Sequence, residues 1–339
     1  MSTDLVEFVT DTPWQKSGVE GDVDTRWDKQ AFAEKVGLDW HGTKQALTTV
    51  SRAQAAVNYA FETDPSPGEV CPEVKPATDF YSVERSDTGH SLGVVKGRYE
   101  MLQPSQALDW FTPWLDSRAL ALHSAGVLEG GAKMWILAQV LEGGTFADIV
   151  PGDSVARFML LFNSFDGSSS VMPMFSPIRM WCSNQLPQVK RTAERLMSIR
   201  HTAVMHDSLE HVRKVMELAR QDFDEVVDQY RILAGRQVQS GQLRTYIRTV
   251  LGIGRKKDGT FERFEDLSAR AKNTVQRVEG MMETRPNVAG TWYGALNAVN
   301  GYLNHQAGNN EDSRLRNLFF GQNVRRNLDS LKTALEMAA

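Results

Sequence analysis

The sequence predicts an α+β fold: a mostly antiparallel sheet in the first half with one inserted helix, and a helical second half. Three observations predict it. Between Thr78 and Cys182, runs such as FYSVER, ALALHSAGVL and KMWILAQV alternate or cluster like strands and are divided by short Gly- or Asp-containing turns. Beyond Asn184 the apolar period changes to three and four residues. Ahead of the sheet, DPSPGEVCPEVKPA carries four prolines, which rules out continuous helix there. The chain divides accordingly into an acidic N-terminal segment with short helices (1–77), a sheet-rich core (78–202) and a helical region (203–339) packing on or beside that core.

Taken in order, a first short helix is capped by Asp28, with Phe32, Val36 and Leu38 facing inward. Trp14 and Trp27 pin this segment to the body. A second short helix is expected from Thr43 to Phe61. FYSVER, a turn over Ser86 to His90 and SLGVV make a hairpin. The inserted helix starts at Pro104-Ser105, with Pro early as its fixed φ allows, and turns Ala107, Leu108, Phe111 and Trp114 or Leu115 to one side. Glu129-Gly130-Gly131 joins two further strands. An apolar strand, Phe158 to Phe165, turns at Asp166-Gly167-Ser168 and returns toward Trp181. Helices are then expected from Asp207 to Leu233, from Phe264 to Glu283, from Thr291 to His305 and from Phe319 to Met337.

Composition excludes several classes. The 339 residues carry a net charge of −4, so the whole molecule is not a basic coat for nucleic acid. The charge is uneven: acids exceed bases by about seven from Met1 to Glu100, and bases exceed acids by about seven from Arg179 to Lys257. Cys71 and Cys182 form no CxxC pair, so neither a zinc site nor a disulfide framework is signalled, and a reducing cytoplasm fits. No signal peptide is expected, and no apolar run reaches the ~18 residues of a membrane span.

No catalytic signature stands out. His201, His206 and His211 are spaced by five, off a shared helical face, and a P-loop and a GxSxG elbow are absent. GIGRKKDG reads as a solvated loop. Ser168, Ser169 and Ser170 have no evident His or Asp partner in sequence. Cys182 reads as a small buried hydrophobe. No cofactor, metal or enzymatic activity is expected, although acids distant in sequence can meet in space. Binding is better signalled. Arg179, Lys190, Arg191, Arg195, Arg200 and His201 form one basic stretch, and Arg244, Arg248, Arg255, Lys256 and Lys257 a second. In each, two arginines four apart share a helix face, a pattern suited to phosphates, with Trp181 and Trp292 as possible stackers.

The motifs LGVVKGRYEMLQPSQALDWF, GGAKMWILAQV, LLFNSFDGSSSV, SPIRMWCSNQL, SIRHT and TWYGALNAVNGYLNH resemble the phage/plasmid-like protein family, domain of unknown function 932, over roughly Thr78 to His305. The most specific positions are Asn163, Asp166-Gly167-Ser168, Pro177, Arg179, Cys182, Asn184 and Arg200-His201-Thr202. The resemblance implies a mobile-element setting in a bacterial host cytoplasm. By analogy with phage single-strand annealing proteins, it implies a part in DNA recombination or replication. Two functions are therefore expected in competition. One is a DNA-binding protein of annealing type, a homo-oligomer on single-stranded DNA with Arg191, Arg195, Arg200, Arg244 and Arg248 on phosphates. The other is a non-enzymatic interaction module that uses its acidic first hundred residues to block or divert a host protein.

Overall fold

Two antiparallel sheets, where one was expected, organise the first half of the chain. The computed structural model describes residues 18–20, 25–49, 75–141, 146–179, 198–209, 220–282, 287–308, 311–319 and 321–339. The smaller sheet has three strands in the order β2 (Gly42–Thr49), β3 (Lys75–Arg85) and β4 (Ser91–Lys96). The larger has six: β1 (Gly18–Glu20), β5 (Leu120–Leu128), β6 (Lys133–Val140), β8 (Asp153–Ser164) and β7 (Phe146–Val150) in that order, with β9 (Met172–Arg179) also paired to β8.

β2 corrects the helix expected from Thr43. Thr43, Thr48 and Thr49 favour the pleated backbone, and the segment pairs with β3, Gly42 opposite Arg85 and Ala46 opposite Tyr81. The hairpin β3–β4 stands as expected. It belongs to the small sheet because Val83, Leu92 and Val95 face the apolar core with α1 (Lys29–Val36), α2 (Pro104–Asp109) and α3 (Thr112–Asp116). Asp28 caps α1 by accepting from the Gln30 and Ala31 amides, and Phe32 and Val36 are buried, as its spacing predicts. The inserted helix is two short helices, with Ala107, Leu108, Phe111 and Leu115 buried.

All eight residues of β6 are buried, so both faces of the large sheet are covered. Met134, Ile136 and Ala138 meet the small sheet and α1–α3. Trp135, Leu137, Phe158, Leu160 and Phe162 share the opposite face with Leu318.

The helical half comprises α4 (Arg220–Ala234), α5 (Ser240–Leu251), α6 (Ala269–Glu279), α7 (Trp292–His305), α8 (Glu311–Phe319) and α9 (Gln322–Ala338). α7 is its axis. Thr291 caps it, accepting from the Gly294 amide, and it is buried nearly all round, including Asn297, Asn300 and Asn304. Ser330 of α9 donates to the side-chain Oδ1 of Asn300 at 3.1 Å. Trp292, a possible stacker from sequence, is 1 % exposed and packs edge-on against Tyr246, so it is core. The helix expected from Phe319 to Met337 is α9, while α8 before it was not expected from the sequence. The helical core reaches the sheet through Ile149 and Val155, and Arg231 of α4 donates to the Asp148 carbonyl. Among the described residues no helix is long and apolar enough to cross a membrane.

Candidate functional site

Four of the sequence motifs meet at one end of β8. Lys133, the first residue of β6, lies opposite Ser164, the last of β8. Its side chain is largely shielded from bulk water: the residue is 5 % exposed. The ammonium instead bridges Glu129 at 2.6 Å and Asp166 at 3.0 Å. Burial pushes the ammonium's pKa down, but the two carboxylates outweigh it and hold it above the ordinary lysine value. For Asp166, burial pushes up. Hydrogen bonds from Ser164, Ser168 and Lys133 prevail and hold the carboxyl below its usual range. Asp166 thereby staples its own loop, accepting from the Ser164 hydroxyl at 2.6 Å and the Ser168 amide at 2.9 Å. The connection is wider than the tight hairpin turn expected at Asp166-Gly167-Ser168.

Tyr99 and His201 close the back of this node. The Tyr99 hydroxyl donates to the Ser164 carbonyl. Its ring stacks on His201 with centroids 4.5 Å apart. Burial, and then the Asp166 charge, push the phenol well above its usual value. Burial lowers the His201 pKa, against the Glu100 carbonyl, the Asp166 charge and the Ser169 backbone, which favour the protonated ring. His201 Nδ1 lies 2.9 Å from the Glu100 carbonyl, so that nitrogen carries the proton. The structure thus brings an Asp and a His to the serine loop, which the sequence did not reveal. It does not pair them as a nucleophilic dyad: among the described residues neither the buried His201 Nε2 nor the Ser169 Oγ has a side-chain hydrogen-bond partner.

A cleft of about 400 Å³ opens beside the node, lined by Glu129, Lys133, Asp166, Ser168, Ser169, Arg316, Asn317 and Gly321. Arg316 reaches across from α8 to Glu129 at 3.4 Å. Sequence reading singled out neither Lys133 nor Arg316. A signal for Lys133 was available, a lone cation at the head of the apolar run KMWILAQV. Arg316 had none, since it lies on a polar helix far along the chain.

The predicted basic residues are divided. Lys190, Arg191 and Arg195, with Trp181 and Cys182, lie outside the described residues, as does the side chain of Arg179. Arg200 is exposed, next to His201 at the node. The second group is gathered at the α5–α6 corner. Arg244 of α5 grips Glu279 at 2.9 Å and covers the Phe264 ring, 4.5 Å from its centroid. Arg248 donates to the Ile253 and Glu262 carbonyls and lies over Phe261. Both hold the segment after α5 in place.

That segment is a hairpin loop carrying Arg255, Lys256 and Lys257. The Lys256 amide donates to the Thr260 carbonyl and the Glu262 amide to that of Gly254. Asp258 accepts from the Thr260 amide and hydroxyl, which lowers its pKa. Gly254 makes the entry possible: its φ is +71, close to the +69 of Gly252 before it, and a Cβ there would lie 2.5 Å from Leu267. Arg255, Lys256 and Lys257 are all exposed, and among the described residues none forms an ion pair. The corner belongs to the helical core, which meets β8 at Val155. Arg200 sits at the Ser164 end of that strand, nine residues beyond Val155, a span of about 30 Å at the usual rise per residue.

In comparison with known proteins, the model of the Domain of unknown function (DUF932) matches residues 91–331. No curated protein and no solved structure matches the chain.

Proposed function

This chain belongs to the DUF932 family, and we propose that it binds single-stranded nucleic acid, with the Arg255–Lys257 hairpin as a principal phosphate contact. The observation that carries the reading is the hairpin itself, three consecutive exposed cations on a loop held by its own hydrogen bonds. Exposed arginines and lysines add little to stability, so their concentration on a rigid tip suits an external polyanion. The setting is favourable over a wider area. From Arg236 to Met282 there are ten Lys or Arg against five Asp or Glu. Arg270 and Arg277, seven apart on α6, share a helix face and are exposed.

The geometry argues for backbone contacts over base stacking. The arginines that cover Phe261 and Phe264 occupy faces a base would need. A strand held by its phosphates keeps its bases outward, available for pairing, which is what annealing demands. On this reading the biological step is recombination or replication on a mobile element, as the sequence resemblance implies. Further contacts would come from Arg200 and from the Lys190–Arg195 stretch.

The test is a fluorescence anisotropy titration with a short labelled thymidine oligomer at several salt concentrations. Single-strand binding weakens with a log–log slope of about 0.7 per neutralised phosphate. The triple variant R255A/K256A/K257A is therefore expected to lower the slope by about two. Absence of binding by micromolar wild-type protein at low salt, or an unchanged slope in the variant, would refute the proposal.

A further inference from the structure

The cleft at the end of β8 plays no part in the reading above, and its chemistry is specific. Its two carboxylates are committed to the protein's own donors. Asp166 accepts from Lys133, Ser164 and Ser168, while Glu129 accepts from Lys133 and Arg316. The hydrogen-bonding capacity left over is mostly donor. Arg316 has a side chain 58 % exposed and spends one N–H on Glu129, at the long distance of 3.4 Å. Ser169, on the cleft wall, holds a buried hydroxyl that has no hydrogen-bond partner among the described residues. Gly321, also on the wall, is the N-cap of the 17-residue α9 and supplies no side-chain cap. It cannot be replaced by a capping residue, because a Cβ there would sit 2.5 Å from Asn317 Oδ1 and 2.8 Å from its Cα. Gly321 thereby brings the N-terminal end of α9 to the cleft wall with no acceptor from its own cap.

We propose that this cleft binds a phosphate group, carried by a nucleoside monophosphate or by the phosphorylated end of a strand. The charges of Lys133, Arg316, Glu129 and Asp166 cancel, so the partial positive charge of the α9 terminus decides the sign of the site. The Arg316 guanidinium, the Ser169 hydroxyl and the Gly321 end of α9 come from different segments of the chain, as recognition of a group with several oxygens requires. A volume of about 400 Å³ leaves room for the nucleoside beside the phosphate. The proposal does not depend on the Arg255–Lys257 hairpin.

Calorimetry on the full chain tests it with inorganic phosphate, adenosine monophosphate, and one short strand with and without a 5′-phosphate. Inorganic phosphate and the nucleotide are expected to bind in the micromolar to low-millimolar range. Arg316→Gln should weaken both by roughly tenfold or more and Ser169→Ala by a smaller factor, with unchanged melting curves. The hairpin triple variant should bind both as wild type does, which separates failure here from failure of the hairpin reading. A strand that gains affinity from its 5′-phosphate, and loses the gain with Arg316→Gln, assigns the group to strand ends. No such gain assigns it to free nucleotide. The proposal is overturned if neither phosphate nor nucleotide binds at about 10 mM, an affinity weaker than ~3 kcal/mol. It is equally overturned if binding survives both single variants, or if magnesium alone binds in the cleft and phosphate does not.

Discussion

Replacing Lys133 with methionine keeps the length and shape of the side chain and removes its charge. Asp166 and Glu129 then face each other with no cation between them, their side chains 18 % and 30 % exposed. Breaking a fully buried ion pair from one side costs about 3–5 kcal/mol. Residual solvent access to both carboxylates lowers this to about 2–3 kcal/mol. Unfolding entropy near 2.1 cal/mol/K per residue is roughly 0.7 kcal/mol/K for a chain of 339 residues, if it unfolds in one transition. The melting temperature should therefore fall by about 3–4 °C. The pH dependence gives a sharper check. Asp166 titrates below its unfolded value of about 3.9, so its stabilising contribution is complete above that pH and is lost as pH falls through the lower folded value. Without Lys133 one cause of that depression is gone. The gap between wild type and variant should be full at pH 7 and narrow below about pH 4. Adding Asp166→Asn to Lys133→Met should cost less than the two single changes together, by about 1–2 kcal/mol. Thermal and denaturant melts of the four proteins suffice. Strict additivity, or a Lys133→Met protein as stable as wild type at pH 7, would show that the bridge contributes nothing and that the reasoning fails.

Two further outcomes are expected. Gly93→Ala places a Cβ 2.7 Å from the Asp166 Cα and Cβ, so β4 or the loop must shift, at a cost of about 1–3 kcal/mol read from the same melts. His201 has a lowered folded pKa, so the unfolded chain takes up its proton first. Stability should decline as pH drops below about 6.5 and level off once the folded ring is protonated. His201→Gln should flatten that part of a melting-temperature profile between pH 8 and pH 5, and an unaltered profile would assign the decline to other groups.

Local chemistry made much of the fold legible. Asp28 before a short amphipathic run, Thr291 before TWYGALNAVNGYLNH, and Glu129-Gly130-Gly131 between two apolar runs each state their element within a few residues, because caps, periodicity and turn residues act at short range. Where the outcome depended on a partner, reading failed. GTKQALTT is strand because β3 lies beside it, and the FYSVER hairpin joined a separate sheet because Val83 and Val95 had a core to cover. The short helix α8 went unread because EDSRLRNLF is largely polar and its apolar Leu318 finds its core only against the sheet.

The sequence by itself determined the α+β order, the caps and turns, the family, and which residues are basic. Only the tertiary structure decided which charges are spent and which remain. Arg244 and Arg248 look no different in sequence from Arg255 and Lys256, yet the first pair is consumed by Glu279 and by backbone carbonyls while the hairpin stays open. Lys133, Asp166, His201 and Arg316 are separated by tens of residues or more and share one site. The physical reason is that a charge's role is set by the dielectric and partners around it, and both are supplied by segments brought together only when the core closes.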